Sequence, residues 1–519
     1  MTETGRPLPA SSGDPAAQLA GAATEPPPEA APAVFDEAEG LSVEEVKRRA
    51  SAGVSIVASR GLAILLLSTV GGIVLARLLT PHDFGLVAVG MSVVLFTGLV
   101  SDGGLGAGLI RRPEPPRREE LEALTGFQVA ISGALALICL AIAPFAGKVG
   151  WVTAVMVASM PITVLQFPGK ILLERTLSYG AVAVVEVAQV VTYQAWAITF
   201  VAVGFGVWGL ATATIAMRVV AAIVIARVSP VGAPRMRLSW RLIKPLLGFG
   251  LRFQAISGAW LARDQGLNVS IAAIASVATL GLFSLVRRLL EIPYLIFTTL
   301  FRVSFPTMSR LVARGEDTAG LIERGVGMAA VGTGIILVAL AGSARGLVPG
   351  VFGEKWGEAS SILPLACLGL GIGGSVSVAT QGYLYAIDDA AAVLRSVVLQ
   401  TIALFAVTVP LLALSVLGVK AIGLGLLVSF VVEALVLTEA MRRHLAVRLL
   451  RPLLAPAAAG IVAGAIGWYV SGLGHNQLLA GIAGGLCSAA CFVGILSILR
   501  WKLVRETLGF AMRSVRAAA

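Results

Sequence analysis

Long apolar stretches, separated by short clusters of charged residues, proline or glycine, set the rhythm of this chain after residue 50. Each stretch is about 20 residues, the length a helix needs to cross the hydrocarbon of a bilayer. None shows the two-residue alternation of a membrane barrel. Fourteen spans are predicted, near 54–77, 84–109, 123–146, 151–173, 178–203, 206–228, 246–274, 279–303, 325–347, 359–384, 389–414, 418–440, 452–472 and 477–499. Pro161, Pro168, Pro293, Pro364 and Pro410 interrupt spans, as transporters tolerate where neighbouring helices or water satisfy the freed backbone groups. The pattern predicts an all-α polytopic membrane protein.

Composition agrees. The 519 residues are 57% hydrophobic and 13% charged, against roughly a quarter charged in soluble proteins. Residues 1–40 are rich in Pro, Ala and Glu ("ATEPPPEAAPAVFDEAEG"), a composition predicted to stay disordered and without the features of a signal peptide. In the following "SVEEVKRRA", Ser42 and Glu45 have the spacing of a capping box, and Lys47, Arg48 and Arg49 are predicted beside the membrane surface.

The net charge of +11 changes meaning once it is sorted by place. With the N-terminus inside, 28 of the 40 Lys and Arg fall on inside loops, including "RRPEPPRRE", "RMRLSWRLIK" and "MRRHLAVRLLRP". The outside holds only Arg77, Lys148, Arg345, Lys355 and Lys420. That asymmetry predicts an even number of spans with both termini cytoplasmic, and it removes nucleic acid as a partner. Cys139, Cys367, Cys487 and Cys491 lie within apolar spans and read as packing residues. His82, His444 and His475 are scattered. Neither disulfide, metal nor cofactor is expected.

A weak internal repeat is present. "LARLLTPHDFGLVAVG" (Leu75–Gly90) joins spans one and two, and "IAAIASVATLGLFSLV" (Ile271–Val286) joins spans seven and eight, 196 residues later. Ala76 then matches Ala272, Gly85 matches Gly281 and Leu86 matches Leu282. Their equivalent places in each half predict two pseudo-symmetric six-helix lobes, 51–228 and 246–440, with a site between them. The remainder comprises the tail and juxtamembrane segment 1–50, a basic cytoplasmic linker 229–245, and the final helix pair with a basic tail, 441–519.

"LARLLTPHDFGLVAVGMSVV" (Leu75–Val94) with "SDGGLGAGLIRR" (Ser101–Arg112) resembles the opening hairpin of Wzx/WzxC-like oligosaccharide flippases of the multidrug/oligosaccharidyl-lipid/polysaccharide (MOP) exporter superfamily. "LGLFSLVRRLLEIPYLIFTTLFRVSFPTMSRL" (Leu280–Leu311) is similar to the segment that opens their second half. The similarity spans roughly residues 50–440. It implies a bacterial inner-membrane transporter that flips undecaprenyl-pyrophosphate-linked oligosaccharides to the outer leaflet for polysaccharide export. Membrane lipids, and a polymerase or glycosyltransferases, are the implied partners. In the resembled pattern an acid often precedes the Asn of span seven; here Leu267 stands beside Asn268, and the acid is Asp264.

Such a cargo has an anionic, polar head that is costly to move through hydrocarbon, so the charges within the spans become candidates. Arg252 and Arg263 are 11 residues apart, about 20° of helical rotation and about 16 Å of rise, so they share one face. Two readings stand: a cationic ladder for the head, or Arg252 snorkelling to the boundary while Asp264 neutralises Arg263. Gln254, Gln265 and Asn268 project to the opposite side and are expected to bond to neighbouring helices, with Gln254 and Asn268 as weaker substrate candidates. In span eight, Glu291 lies four residues from Arg287 and three from Arg288, which predicts one internal ion pair and leaves the other arginine for substrate. The resemblance implies an arginine at the Arg288 position. Arg60 in span one either faces the cavity or sits over headgroups, and Arg218 in span six is expected to snorkel. Asp102, Glu186, Asp264 and Glu433 are candidate cavity acids, for ion coupling or for structural hydrogen bonds.

Three alternatives remain at this point. A lipid II flippase of the same superfamily would use the same charges. A cation-drug exporter would offer an acidic, aromatic-rich cavity. A membrane glycosyltransferase or polymerase would need large catalytic loops, whereas the predicted outer loops are short.

Overall fold

The computed structural model describes residues 43–106, 116–176, 178–229 and 235–518. The Pro-rich tail and Ser42 lie outside the described residues, as do part of "RRPEPPRRE" and residues 230–234 of the linker. Among the described residues there is no strand.

The chain begins with α1 (Val43–Leu78), so the juxtamembrane segment runs unbroken into the first span. A tight turn leads to α2 (Pro81–Asp102). Thr80 caps α2 through a reciprocal box, the Asp83 N–H donating to Thr80 Oγ1 and the Thr80 N–H to Asp83 Oδ2, with Pro81 at the first position. After α3 (Arg118–Ile142) and one 3₁₀ turn, the fourth span is in three pieces, α4 (Gly147–Val157), α5 (Met160–Val164) and α6 (Phe167–Arg175). The breaks precede Pro161 and Pro168, whose rings cannot continue the preceding hydrogen-bond ladder. Pro293 and Pro410, by contrast, are carried inside unbroken helices, and Pro364 starts one. The first half closes with α7 (Tyr179–Phe200), a π turn, and α8 (Val207–Val228).

The second half contains α9 (Trp240–Ile274), α10 (Val277–Ala313), α11 (Ala319–Phe352), a 3₁₀ segment (Glu354–Ser361), α12 (Leu363–Ala386), α13 (Ala390–Ala413) and α14 (Lys420–Arg442). Last come α15 (Arg451–Val470) and α16 (Gln477–Ala518), the latter broken at Arg500 (φ −148°, ψ 51°). Eleven stretches of the described residues are long and apolar enough to cross a membrane. One of them, Arg118–Val164, holds α3 and the first pieces of the broken span. Helices α9 and α10 are outside that set, although they have the length, and both carry charges along their middle. The predicted fourteen spans are consistent with this arrangement. The chain is a multi-pass helical membrane protein.

Helices α1 and α7 pack together, as do α2 with α4 and α7 with α8. In the second half, α12 packs on α10, α11 and α14, and α13 packs on α14. The final pair, α15 and α16, leans on α11 through small residues: a side chain on Gly342 or Gly467 would run into Ser488, and one on Gly346 into Gly481.

The halves meet where α2 crosses α9 and α10. At the end that carries the α1–α2 and α9–α10 turns, the repeat identified in sequence becomes a reciprocal contact. A Cβ on Gly85 would strike the Val277 carbonyl, and one on Gly281 would strike the Pro81 carbonyl. Positions 81 and 277 are themselves separated by the repeat period, so each glycine admits the other hairpin's turn. Beside this crossing, fully buried Trp356 donates its indole N–H to Ala76 O at 2.9 Å and meets Phe84 edge-on, ring centroids 5.0 Å apart. Arg77 Nε donates to Val351 O at 2.6 Å, Arg77 also reaches Gly350 O, and Lys355 Nζ donates to Arg77 O at 2.8 Å. This end of the molecule is clasped shut between the halves.

Candidate functional site

Below that clasp lies a cavity of about 600 Å³ walled by α1, α2, α7 and α8 from the first half and by α9 and α10 from the second. Its polar lining includes Gln189, Tyr193, Gln194, Arg218, Gln265, Asn268, Arg287, Arg288 and Glu291. A smaller chamber of about 320 Å³ lies within the first half, against the broken fourth span, lined by Thr163, Gln166, Lys170, Glu186, Gln189 and Arg218 among others. The two share Gln189, Val190 and Arg218 as a common wall. Three arginines and one glutamate are among the lining residues of the interlobe cavity.

Arg288 lines it. Its guanidinium crosses to α1, donating to Ser68 O and lying over Gly72, where any side chain would collide with it. Arg287 corrects the expected pairing. Its Nη2 is 3.6 Å from Asp264 Oδ2 on α9, and it forms no ion pair with Glu291. An i,i+4 argument considers one helix alone, and here α9 supplies a competing acid. Asn268 and Gln265 also line the cavity while tying α9 to α2. Asn268 Nδ2 donates to Gln265 Oε1 at 2.9 Å, and Ser92 Oγ donates to Gln265 Oε1 at 2.7 Å. Gln254 behaves similarly outside the cavity, donating to Leu99 O at 3.0 Å and to Asp102 Oδ2 at 3.4 Å.

Other candidates lie elsewhere. Arg263 lines neither cavity; its guanidinium carbon is 5.8 Å from the centre of the Trp260 ring, and its buried Nε has no partner among the described residues. The Arg252 side chain lies outside the described residues, so the expected two-arginine ladder is represented by Arg263 alone. Arg60 is paired, its Nη1 3.1 Å from Glu186 Oε2, and Glu186 borders the smaller chamber. Asp102 accepts from Gly104 N at 3.2 Å and from Gln128 Nε2 at 3.4 Å. Glu433 is buried among α12, α13 and α14, accepting from Gln400 Nε2 at 2.9 Å and Ser377 Oγ at 3.2 Å, with Gln381 donating to Ser377.

Arg218, expected to snorkel, is half-buried and lines both cavities. Its backbone ties α8 to the break in the fourth span: Gln166 Nε2 donates to Arg218 O at 3.1 Å, and Gln189 Nε2 to Gln166 Oε1 at 3.0 Å. Residues 186, 189 and 193 form a polar stripe at helical spacing along α7, a signal that sequence reasoning passed over.

Residues 74–361, more than half of the chain, match the family model described as polysaccharide biosynthesis protein. The chain is 25% identical over 313 residues to the succinoglycan biosynthesis transport protein ExoT of Rhizobium meliloti, a match covering 58% of this chain and 62% of that one. It is 25% identical over 322 residues to the lipopolysaccharide biosynthesis protein WzxC of Escherichia coli, covering 57% and 61%. The chain thus spans about three fifths of the length of these curated relatives. Its fold is similar to that of the lipid II flippase MurJ in an inward closed conformation, with TM-score 0.66, 11% identity, and coverage of 86% of this chain and 99% of that one. It is also similar to an inward-facing multidrug resistance transporter of the MATE family, of the MOP superfamily, with TM-score 0.53, 18% identity, and coverage of 73% and 93%.

Proposed function

We propose that this chain, which belongs to the polysaccharide biosynthesis protein family, is a flippase that carries lipid-linked oligosaccharide repeat units across the bacterial cytoplasmic membrane by alternating access. The observation that carries this reading is the cavity at the junction of the two halves, lined by Arg218, Arg287, Arg288 and Glu291 beneath a clasp that joins the halves at one end. A polyprenyl diphosphate head needs a wet, polar passage, and arginine donates paired hydrogen bonds to phosphate while remaining charged. With the clasped end facing outward, as the loop charges suggest, the head enters from the cytoplasmic side and leaves when the clasp opens. The step is translocation, with no bond made or broken. Glu433, buried without a cation at ion-pair distance among the described residues, is the candidate for coupling to an ion gradient, with Asp102 second.

A cation-drug exporter is disfavoured by the lining, in which Glu291 is the one acid facing three arginines. A lipid II flippase would present the same diphosphate to the same residues and differs in the glycan. The test is reconstitution into liposomes, with polyprenyl-diphosphate-linked oligosaccharide on one leaflet and its appearance on the other followed by lectin accessibility. Protein-dependent translocation is expected. Its absence from folded, correctly inserted protein would sink the proposal.

A further inference from the structure

We infer that Arg218 is the residue that grips the oxyanion of the transported molecule, at the passage between the first-half chamber and the interlobe cavity. The inference rests on the transport reading and deepens it by naming where the diphosphate is held. Four observations lead to it.

First, Arg218 is the cation common to the walls of both chambers. Second, the other cations around those chambers are engaged by the protein. Arg60 is with Glu186, Arg287 with Asp264 and Lys170 with Glu174 at 3.8 Å, while Arg288 is bonded to the α1 backbone. The Arg218 side chain has no hydrogen bond or ion pair among the described residues, although its own carbonyl is bonded. An arginine left unpaired at membrane depth must be solvated by water or ligand in the space it faces. Third, its position is built. The Gln189–Gln166–Arg218 backbone chain of hydrogen bonds clamps α7, α8 and the broken span at the level of this residue. Fourth, the walls nearby offer neutral donors, the Tyr193 hydroxyl and the amides of Gln189 and Gln194, which can complete the coordination of a phosphate without competing charge.

Arg218 therefore passes the anion from one chamber to the other by swinging its fork, with the backbone fixed. Lysine would supply charge without the paired geometry. An oxyanion could also come from an acidic sugar, and the chosen probes separate the two sources.

The full chain in lipid nanodiscs is titrated with farnesyl diphosphate, with farnesol and with glucuronate, and binding is read by native mass spectrometry. Transport is measured in parallel in liposomes. Wild type is expected to bind farnesyl diphosphate and neither other probe. R218A should weaken that binding at least about tenfold, with R218K intermediate. R218Q, which keeps size and polarity, is the decisive variant if R218A misfolds. Folded R218A or R218Q that binds farnesyl diphosphate like wild type overturns the inference while leaving transport untouched. Wild type that binds glucuronate in place of the diphosphate overturns the choice of group. Wild type that transports no lipid-linked oligosaccharide overturns the functional reading itself.

Discussion

Gly85→Ala places a methyl group where the carbonyl oxygen of Val277 already stands. The obstruction is backbone, so no side-chain rotation can relieve it; α2 and α10 must separate. Forcing one extra carbon into a well-packed contact costs about 1–3 kcal/mol. If the crossing exists only while the clasped end is closed, that cost falls on the closed state alone. At about 1.4 kcal/mol per tenfold, the ratio of open to closed shifts by about 5- to 140-fold. The assay uses a background in which Cys139, Cys367, Cys487 and Cys491 are replaced by Ala, with a single reporter, Ser284→Cys, on the cavity wall. Labelling by a membrane-impermeant thiol reagent from outside should be faster in Gly85→Ala by a comparable factor. Gly281→Ala should act likewise, because it meets Pro81 in the mirror-related contact. The double variant should give less than the sum, since separating the helices once relieves both clashes. Unchanged labelling in a folded Gly85→Ala protein would refute the idea that this crossing is a gate.

Other outcomes follow from the same geometry. Trp356→Phe keeps the ring but removes the donor to Ala76 O, leaving a buried acceptor unpaired at about 1–3 kcal/mol; the Ser284→Cys reporter should again label faster. Glu433→Gln replaces the carboxylate that accepts from Gln400 and Ser377, and should abolish any dependence of transport on an imposed proton gradient while farnesyl diphosphate binding persists. Retained gradient dependence would remove Glu433 from the coupling role. In the α12–α13 loop, the hydrogen bond from His444 and then the Ala392 N–H hold the Asp389 carboxyl below its usual range. A depressed folded-state pKa adds stability above the unfolded value, near 4, that is lost as pH falls through the folded value. Asp389→Asn should therefore lower the thermal midpoint at neutral pH, and the difference from wild type should shrink in acid.

Much of this architecture was legible in the chain. Spans follow from apolar length, and the broken fourth span follows from Pro161 and Pro168, although Pro293 shows that a proline can be absorbed without a break. The three-residue match Ala76/Ala272, Gly85/Gly281 and Leu86/Leu282 looked slight, yet its glycines are the points at which each hairpin admits the other. The side-chain partners were harder to read. Helical spacing correctly turned Gln265 and Asn268 toward a neighbour, while it had no means of saying that α9 would offer Asp264 to Arg287. Arg263 looked like a cavity arginine because the helical wheel gives a shared face without naming what lies beside it; Trp260 does. Arg218 was assigned to the boundary from its place near a span end. Its backbone carbonyl accepts from Gln166, 52 residues away, at a break in another helix. Contacts of that range are invisible to local periodicity.

The most direct test of the interlobe route is transport through a cavity that can be plugged. The cysteine-replaced Ser284→Cys protein is reconstituted, and translocation of polyprenyl-diphosphate-linked oligosaccharide is measured before and after reaction with a bulky maleimide. Translocation should be present before modification and lost after it, in proportion to the fraction labelled. Equal translocation by fully labelled protein would mean that the cargo crosses elsewhere.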